Sequence, residues 1–571
     1  MTTSKTNIKF AKQTNHSSAI SPTVDSTINI TSRPTITRCL LSVAVASSLL
    51  LVGCDDDDDS SVTYSATSQS VETFSNSQID AELSEAETAG LGNTSTPAAK
   101  CGVTVEKVSY PTKGSAGEQT NATAALMLPS GDAAECQGDR PVLLYAHGTT
   151  TEKTYDFAQV GNNQNPAGAN ATLIAANFAA QGYIVVAPNY AGYDNSDLDY
   201  HPYLDANQQS FDMVTALDSA RSIIKQQQSA NNSKYINVND SGKLFIAGYS
   251  QGGHVVMATA RLLEQQNKPV TAIAPSSGPY ALAAFGDAIF TGNVNIGATA
   301  FAPLLATGLQ KAYGNIYQNP MEIFTPQYAD TKLPNVLSFE ALINNKKLPA
   351  NALFQTPPTN NPVIDQLPES ELPFASAGFD SVNYLINTEF RAKYVADAVQ
   401  NPDGLVPTLV TGMPAVNPQN NLRKALKAND LRGYVPTMPT LICGGNQDPT
   451  VFYDLNTGSM TALLQGASEQ NPAAKLNVTV LDVDVTNKAK RQDKLDLTII
   501  GQASMNSWNV QTVANSVQAN FADRVEQVIS NAVQQGNSPD VAFLSSYHGG
   551  LVNTACNQAT REFFNQEFAQ L

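Results

Sequence analysis

The chain has 571 residues, of which 42% are hydrophobic, and this supports a globular core in one large domain with insertions or in two domains. Its formal charge is −17 and its isoelectric point lies near 4.7. These values argue against nucleic acid and anionic membrane surfaces as partners, because binding to phosphate groups needs a cationic face.

The N-terminal region has the pattern of an export signal. Arg33 and Arg38 precede an apolar run, Leu40–Val52, which is too short to span a bilayer. The four residues that end at Cys54 resemble the bacterial lipoprotein signal, in which the cysteine is acylated and becomes the mature N-terminus. Residues 1–53 are therefore predicted to be a lipoprotein signal peptide, with lipid attachment in the bacterial cell envelope, on the periplasmic face or the cell surface. The alternative is an ordinary secretory signal with an incidental cysteine.

The segment that follows the signal is predicted to be a disordered tether. Residues 54–100 consist mainly of Asp, Ser, Thr, Ala and Glu, with few large apolar side chains. Such a composition cannot bury enough surface to offset the chain entropy that is lost on folding. The folded part is therefore expected to begin near residue 101.

From residue 101 onward, apolar strands alternate with helices. The predicted strands are Val103–Tyr110, Ala122–Leu128, Pro141–Ala146, Tyr183–Ala187, Lys243–Ala247, Val270–Ala274, Thr440–Cys443 and Leu476–Val483. The predicted helices are Ala171–Gln181, Ser210–Gln227, Gly253–Gln265 and Asn506–Gln535. Because most of the strands are unbroken apolar runs, the pattern predicts an α/β fold whose sheet is mostly parallel after an antiparallel start, with helices on both faces.

Between Ser276 and Pro436 the alternation gives way to a Pro-rich, partly helical stretch that is long enough to be an insertion. We therefore divide the folded part into an N-terminal core segment, 101–275, a cap or lid, 276–436, and a C-terminal core segment, 437–571. The cap is expected to lie over the functional site.

The pentapeptide Gly248-Tyr249-Ser250-Gln251-Gly252 directly follows an apolar strand and directly precedes a helix. A strand-to-helix turn of this kind forces strained backbone angles on its serine, and the flanking glycines remove side chains that would collide across the turn. The context predicts that Ser250 is a nucleophile. The alternative is a serine in a purely structural glycine turn.

A serine hydroxyl needs a base within hydrogen-bond reach. The chain has five histidines: His16, His147, His201, His254 and His548. The first lies in the signal, His147 closes a strand, His201 precedes the serine in the chain and His254 points into helix packing. His548 remains as the candidate base, with a surface-loop histidine as the alternative. About 65 residues separate it from the last predicted strand, which we interpret as a further insertion.

The base needs an acid that orients its imidazole and stabilises the cationic form. Asp448 lies just after the strand that follows the cap, which completes the chain order Ser, Asp, His. Asp454 and Asp482 compete with it, but the first is predicted to lie in a helix and the second in a strand. The alternative role for Asp448 is a helix N-cap.

Acyl transfer also needs donors that point at a developing oxyanion. The backbone N–H of Gln251 stands at the start of a helix and is one candidate. The second is the backbone N–H of Thr149, in the glycine turn that follows the strand ending at Ala146.

Four cysteines follow the predicted tether, an even number for a compartment in which disulfides persist. Of the three possible pairings, we favour Cys101–Cys136, which would join an N-terminal hairpin, and Cys443–Cys556, which would tie the acid loop to the base loop. The alternative is that some of them are buried free thiols.

Several motifs together resemble the secretory lipase family of α/β-hydrolases. They are Tyr145–Thr149, Ala187–Tyr193, His201-Pro202-Tyr203, Gly248–Gly252 and Asn446–Asp448, and the similarity covers most of residues 101–571. The resemblance implies an α/β-hydrolase fold and a cap-covered carboxylic ester hydrolase that acts on acyl esters without a metal or an organic cofactor.

The sequence thus predicts a lipase or esterase that cleaves small-molecule or lipid esters through Ser250, His548 and Asp448. It is expected to reach the membrane through its N-terminal lipid and to bind no nucleic acid, and its oligomeric state stays open. Two rivals remain: a serine peptidase or amidase on the same fold, and a non-catalytic envelope lipoprotein on a hydrolase scaffold.

Overall fold

One large sheet organises the protein. The computed structural model describes residues 65–88, 96–404, 417–488, 491, 496–501 and 510–569. The strands, in chain order, are β1 (Thr67–Phe74), β2 (Gly102–Lys113), β3 (Gln119–Ser130), β4 (Gly138–Ala146), β5 (Ile184–Pro188), β6 (Val238–Tyr249), β7 (Ala272–Ser276), β8 (Phe354–Gln355), β9 (Phe379–Asp380), β10 (Thr440–Gly444), β11 (Asn477–Asp482) and β12 (Leu497–Gly501).

Ten of these strands form the sheet, in the spatial order β1-β2-β3-β5-β4-β6-β7-β10-β11-β12, while β8 and β9 pair separately. The central strands from β5 to β11 pair in parallel, and antiparallel strands flank them on both sides. The central strands are almost wholly buried, which explains why they are continuous apolar runs in the sequence. The predicted α/β fold with a mostly parallel sheet is confirmed.

Helices fill the connections between the strands. They are α1 (Asn76–Thr88), α2 (Gly168–Asn177), α3 (Ala206–Ser229), α4 (Gln251–Gln265), α5 (Leu282–Thr291), α6 (Ala298–Tyr313), α7 (Phe339–Asn344), α8 (Pro362–Asp365), α9 (Thr388–Gln400), α10 (Asn421–Ala428), α11 (Ser459–Gln470), α12 (Val510–Gln534), α13 (Pro539–Ser546) and α14 (Asn553–Ala569). Among them, α4 packs on β4, β6 and β7, and α14 packs on β6, β7 and β10. No described helix is both long enough and apolar enough to cross a membrane.

The prediction of a disordered tether over residues 54–100 is wrong for residues 67–88. Strand β1 is the edge strand of the sheet and pairs with β2 over most of its length, from Thr67 opposite Ser109 to Phe74 opposite Val103. Most side chains of β1 are exposed, so main-chain hydrogen bonds hold it and composition could not reveal it. Helix α1 then buries Ile79. Cys54 and the predicted signal peptide lie outside the described residues.

The region between the last predicted strand and His548, interpreted above as an insertion, contains regular secondary structure. It contains the edge strand β12, antiparallel to β11, and the helices α12 and α13. Residues 541–545, directly before the candidate base, belong to α13 rather than to a final strand.

The cap has a hydrophobic cluster of its own. The cap's helices lie between β7, which ends at Ser276, and β10, which begins at Thr440. Their buried apolar side chains form a cluster separate from the one around the sheet. Tyr203 and Leu204, which lie outside the cap in the sequence, join the cap cluster. The cap therefore packs against the loop before α3.

Both favoured disulfide pairings are present. Cys101 is bonded to Cys136, and Cys443 is bonded to Cys556. The second bond joins the end of β10 to α14, so it links the strand before Asp448 to the helix that follows His548.

Candidate active site

Ser250 stands at the turn between β6 and α4 with strained backbone angles, φ 60° and ψ −121°. Non-glycine residues rarely adopt a positive φ, and such strain persists only where the surroundings enforce it. Here the N–H of Ser250 donates to the carbonyl oxygen of Ser276 at the end of β7, at 2.9 Å. The turn is therefore fixed between two neighbouring parallel strands.

The glycines of the pentapeptide are required by space. A Cβ at position 252 would lie 1.9 Å from the carbonyl oxygen of Ala146, and one at position 248 would lie 2.6 Å from the same atom. A Cβ at Gly253 would lie 2.5 Å from the carbonyl oxygen of Ser276. The backbone of α4 thus packs directly against the ends of β4 and β7, which is why this turn needs glycine on both sides of the serine.

The structure brings the three sequence-predicted triad residues together. His548 Nε2 lies 2.8 Å from Ser250 Oγ. His548 Nδ1 lies 2.6 Å from Asp448 Oδ2. Both distances are hydrogen-bond distances, so the histidine stands between hydroxyl and carboxylate in the geometry that a general base requires.

The carboxylate of Asp448 is buried and held from behind. Its Oδ1 accepts hydrogen bonds from the backbone N–H groups of Thr450 and Val451, at 2.9 and 3.0 Å, which leaves Oδ2 for the histidine. The competing acids lie elsewhere: Asp454 faces Arg491, and Asp482 accepts from Asn446. The loop after β10 therefore supplies the acid and fixes its rotamer.

His548 lies in a π-helical turn, Tyr547–Val552, between α13 and α14. Such turns occur frequently at functional sites. The hydroxyl of Tyr249, next to the nucleophile, donates to the carbonyl oxygen of His548 at 2.5 Å. Strand β6 therefore holds both the nucleophile and the backbone of the base.

A buried network around Asp484 joins the acid loop to the base turn. The Tyr547 hydroxyl donates to Asp484 Oδ2 at 2.5 Å and accepts from the N–H of Gln447 at 3.0 Å. The Gln447 side chain also donates to Asp484 Oδ2, at 2.8 Å. Because Gln447 precedes Asp448 and Tyr547 precedes His548, this network fixes the two residues relative to each other. Sequence analysis did not assign a role to Asp484.

The loop that carries Thr149 lies against the nucleophile turn. A Cβ at Gly148 would stand 3.5 Å from Ser250 Cβ, so the two loops are in van der Waals contact at this point. The hydroxyl of Thr149 is 2.7 Å from that of Tyr203, which fixes the threonine side chain. Both predicted oxyanion residues, Thr149 and Gln251, thus flank Ser250.

His201 supports Gln251 in a similar way. The Gln251 amide donates to His201 Nε2 at 2.7 Å, and His201 Nδ1 donates to the carbonyl oxygen of Ala191 at 3.0 Å. Burial lowers the pKa of His201 to about 3, so the ring stays neutral and Nε2 remains an acceptor. The His201-Pro202-Tyr203 motif thus positions both oxyanion candidates, a role that sequence analysis missed.

The other two buried histidines do not reach the nucleophile. Burial lowers the pKa of His147 and of His254 to about 4, so both are neutral at pH 7. His147 stacks on Tyr190, and His254 bonds to the carbonyl oxygen of Asn429. Both are structural, as the elimination of candidate bases assumed.

Two pockets meet at Ser250. The first, with an empty volume of about 790 Å³, lies under the cap and is walled mainly by apolar residues, among them Phe285, Phe290, Phe301 and Leu426. The second, of about 1000 Å³, runs the other way past Thr149 and His548 and is more polar. Within the described ranges of the chain, no Asp, Glu, Lys or Arg lines either pocket. Among the described residues, no cluster of three or more His, Cys, Asp or Glu is arranged to hold a metal ion.

The fold and the site together define an α/β-hydrolase. The site consists of a strained serine after a parallel strand, an acid after a later strand and a C-terminal histidine. The model of the dienelactone hydrolase family matches residues 159–278, which include the nucleophile turn. No protein of the curated set matches the chain.

Solved structures agree with this class. The chain is similar to the rice cell wall degrading esterase LipA from Xanthomonas oryzae: to its ligand-bound form with 25% identity and a TM-score of 0.55, over 74% of this chain and 91% of that one. Another LipA structure gives 24% identity and a TM-score of 0.54 over the same shares. The family model and these structures support a serine-type hydrolase or esterase at the level of the family.

Proposed function

We propose that the protein is a carboxylic ester hydrolase of the lipase or esterase type, which works through an acyl-enzyme on Ser250. The observation that carries the proposal is the continuous hydrogen-bonded series from Ser250 Oγ through His548 to Asp448, set where the two pockets meet. The similarity to the esterase LipA supports it.

In the proposed reaction, His548 Nε2 takes the proton of Ser250 Oγ as this oxygen attacks the ester carbonyl carbon. The backbone N–H groups of Thr149 and Gln251 stabilise the resulting oxyanion, and the N-terminus of α4 adds its partial positive charge. His548 then protonates the leaving alcohol. Water, activated by the same histidine, hydrolyses the acyl-enzyme and releases the acid.

The two pockets differ in chemistry, and each suits a different part of the substrate. The apolar pocket under the cap suits an acyl chain, because burial of methylene groups there is favourable. The more polar pocket beside His548 suits the alcohol, because the leaving oxygen must lie near the protonated imidazole. A peptidase that recognises a charged terminus or side chain would need an ionised partner in one of these pockets. The described residues that line them include no Asp, Glu, Lys or Arg.

Hydrolysis of p-nitrophenyl esters of graded chain length, compared with p-nitroanilide amides, tests the proposal. Ser250→Ala is expected to lower kcat by about 10⁴-fold or more, since only binding and the oxyanion donors remain. A fluorophosphonate should add one mass adduct to the wild type and none to this variant. The matched control is Ser219→Ala, a buried serine of α3, which should keep full activity. Equal ester turnover by wild type and Ser250→Ala would end the hypothesis, and faster anilide cleavage would favour the amidase.

We also propose that the mature chain begins at an acylated Cys54 and resides in the bacterial cell envelope. The support is the apolar run that ends at this cysteine. In cells, Cys54→Ser should abolish incorporation of labelled palmitate and move the protein out of the membrane fraction. Unchanged labelling in this variant would refute the lipid anchor.

A further inference from the structure

Arg391 is a buried cation in the cap that has no anionic partner among the described residues. Arg391 is 3% exposed, and its Nε donates to the carbonyl oxygen of Phe290 at 3.0 Å. The guanidinium lies 4.1 Å from the ring centroid of Phe354 and 5.4 Å from that of Phe379. Its buried Nη1 has no hydrogen-bond partner among the described residues.

Other buried arginines in this part of the chain are paired. Arg423 contacts the carboxylates of Asp287 and Asp397, and Arg432 contacts those of Asp403 and Asp430. Burial lowers the pKa of Arg391 to about 10, so it is still charged at neutral pH. Because a buried charge without a counter-charge is unfavourable, this site would gain from an anion that the described part of the chain does not supply.

Arg391 lines a pocket with an empty volume of about 950 Å³. The walls combine apolar side chains with hydroxyl groups: Ile364, Leu367, Leu372 and Phe379, and Thr291, Thr356, Ser370 and Ser376. Glu369, the one acidic residue of the lining, is exposed. The pocket shares no lining residue with the two pockets at Ser250.

We propose that this cap pocket binds a small molecule that carries a carboxylate on an apolar body, with the carboxylate paired to Arg391. A planar guanidinium matches a carboxylate in shape and charge, and the apolar walls accommodate the body of the ligand. A single buried cation fits a monoanion better than a phosphate dianion. The inference concerns binding in the cap and does not rest on the proposed ester hydrolysis.

Calorimetric titration of the folded protein with benzoate, and with neutral benzamide as the matched control ligand, tests this site. The wild type is expected to bind benzoate at least about 10-fold more tightly than benzamide, since only the former can pair with the cation. Arg391→Gln should lose at least about 10-fold in benzoate affinity, while Arg391→Lys should keep part of it.

Two further variants separate this pocket from the acyl pocket and from unfolding. Ser376→Trp, at an exposed position of the lining, should block benzoate binding without altering Arg391. Ala302→Trp, which fills the pocket under the cap, should leave it unchanged. If Arg391→Gln fails to fold, Ser376→Trp decides alone. Absence of benzoate binding to the wild type at millimolar concentration, loss of it in Ala302→Trp, or its retention in Ser376→Trp would overturn the proposal.

Discussion

The sheet core and the cap contribute to the same site in different ways. The core supplies Ser250, Asp448 and His548, and it fixes them through backbone strain, a disulfide and buried hydrogen bonds. The cap supplies mainly apolar walls for the pocket that ends at the serine. The proposed function thus places reaction chemistry and acyl selectivity in separate parts of this chain, so a substitution in one part should leave the other function intact.

The largest expected effect tests the core. Asp448→Asn should lower kcat for a p-nitrophenyl ester by about 10⁴-fold, because the amide would donate to His548 Nδ1 and select the wrong tautomer. Folding should survive, because the amide oxygen can still accept from Thr450 and Val451. The control is Asp454→Asn, the competing acid of the sequence analysis, which should change kcat less than about twofold. A large loss in the control, or a small one in Asp448→Asn, would contradict the assignment of the acid.

The next effect tests the cap. Ala302→Trp should reduce kcat/KM for a long-chain ester by about 10²-fold relative to the acetate ester, because the indole occupies space that the acyl chain would fill. Lys311→Trp adds the same side chain at an exposed position of α6 and should leave the ratio unchanged. An equal loss for acetate and long-chain esters would show that the cap also positions the catalytic residues. It would contradict the division of roles between the core and the cap.

The smallest expected effect is on stability and concerns Asp482, which accepts a hydrogen bond from Asn446 in the acid loop. Burial raises the pKa of Asp482 to about 7, so the native state binds more protons than the unfolded state between about pH 4 and pH 7. At this site, stability is therefore full below pH 4 and is lost as the pH rises through 7. In urea unfolding, the stability of Asp482→Asn relative to wild type should rise by roughly 3 kcal/mol from pH 4.5 to pH 8.

The buried histidines have the opposite dependence, since their lowered pKa values cost stability as the pH falls below about 6.5. They are common to both proteins and cancel in the comparison. A stability difference between wild type and Asp482→Asn that is the same at both pH values would refute the raised pKa.

The nucleophile turn could be predicted from the sequence because its requirements are local. An apolar strand, a serine between glycines and a helix are adjacent in the chain, and the structure adds the distances that make the glycines necessary. The choice of His548 needed only chain order and the small number of histidines. The Cys443–Cys556 disulfide followed from the same assignment, since the two cysteines are close in sequence to the two loops.

Features that depend on contacts between distant residues could not be predicted from the sequence. Strand β1 is polar and exists because β2 offers it an open edge. Asp484, His201 and Tyr203 gained roles only when folding brought them to the loops that they hold. His201 and Tyr203 belong to a motif of the resemblance, but no local pattern assigns these roles, because the partners lie many positions away.

By itself, the sequence determined the α/β fold class, the nucleophile turn and the order of the candidate triad, because periodicity, glycine spacing and chain order are local properties. Only the tertiary structure decided how the acid and base loops are clamped together and which pockets meet at the serine. It also decided that Arg391 lies beside a third pocket with no carboxylate partner in the described part of the chain. Those properties depend on which distant side chains fill the space around a group, and packing of the whole chain determines that.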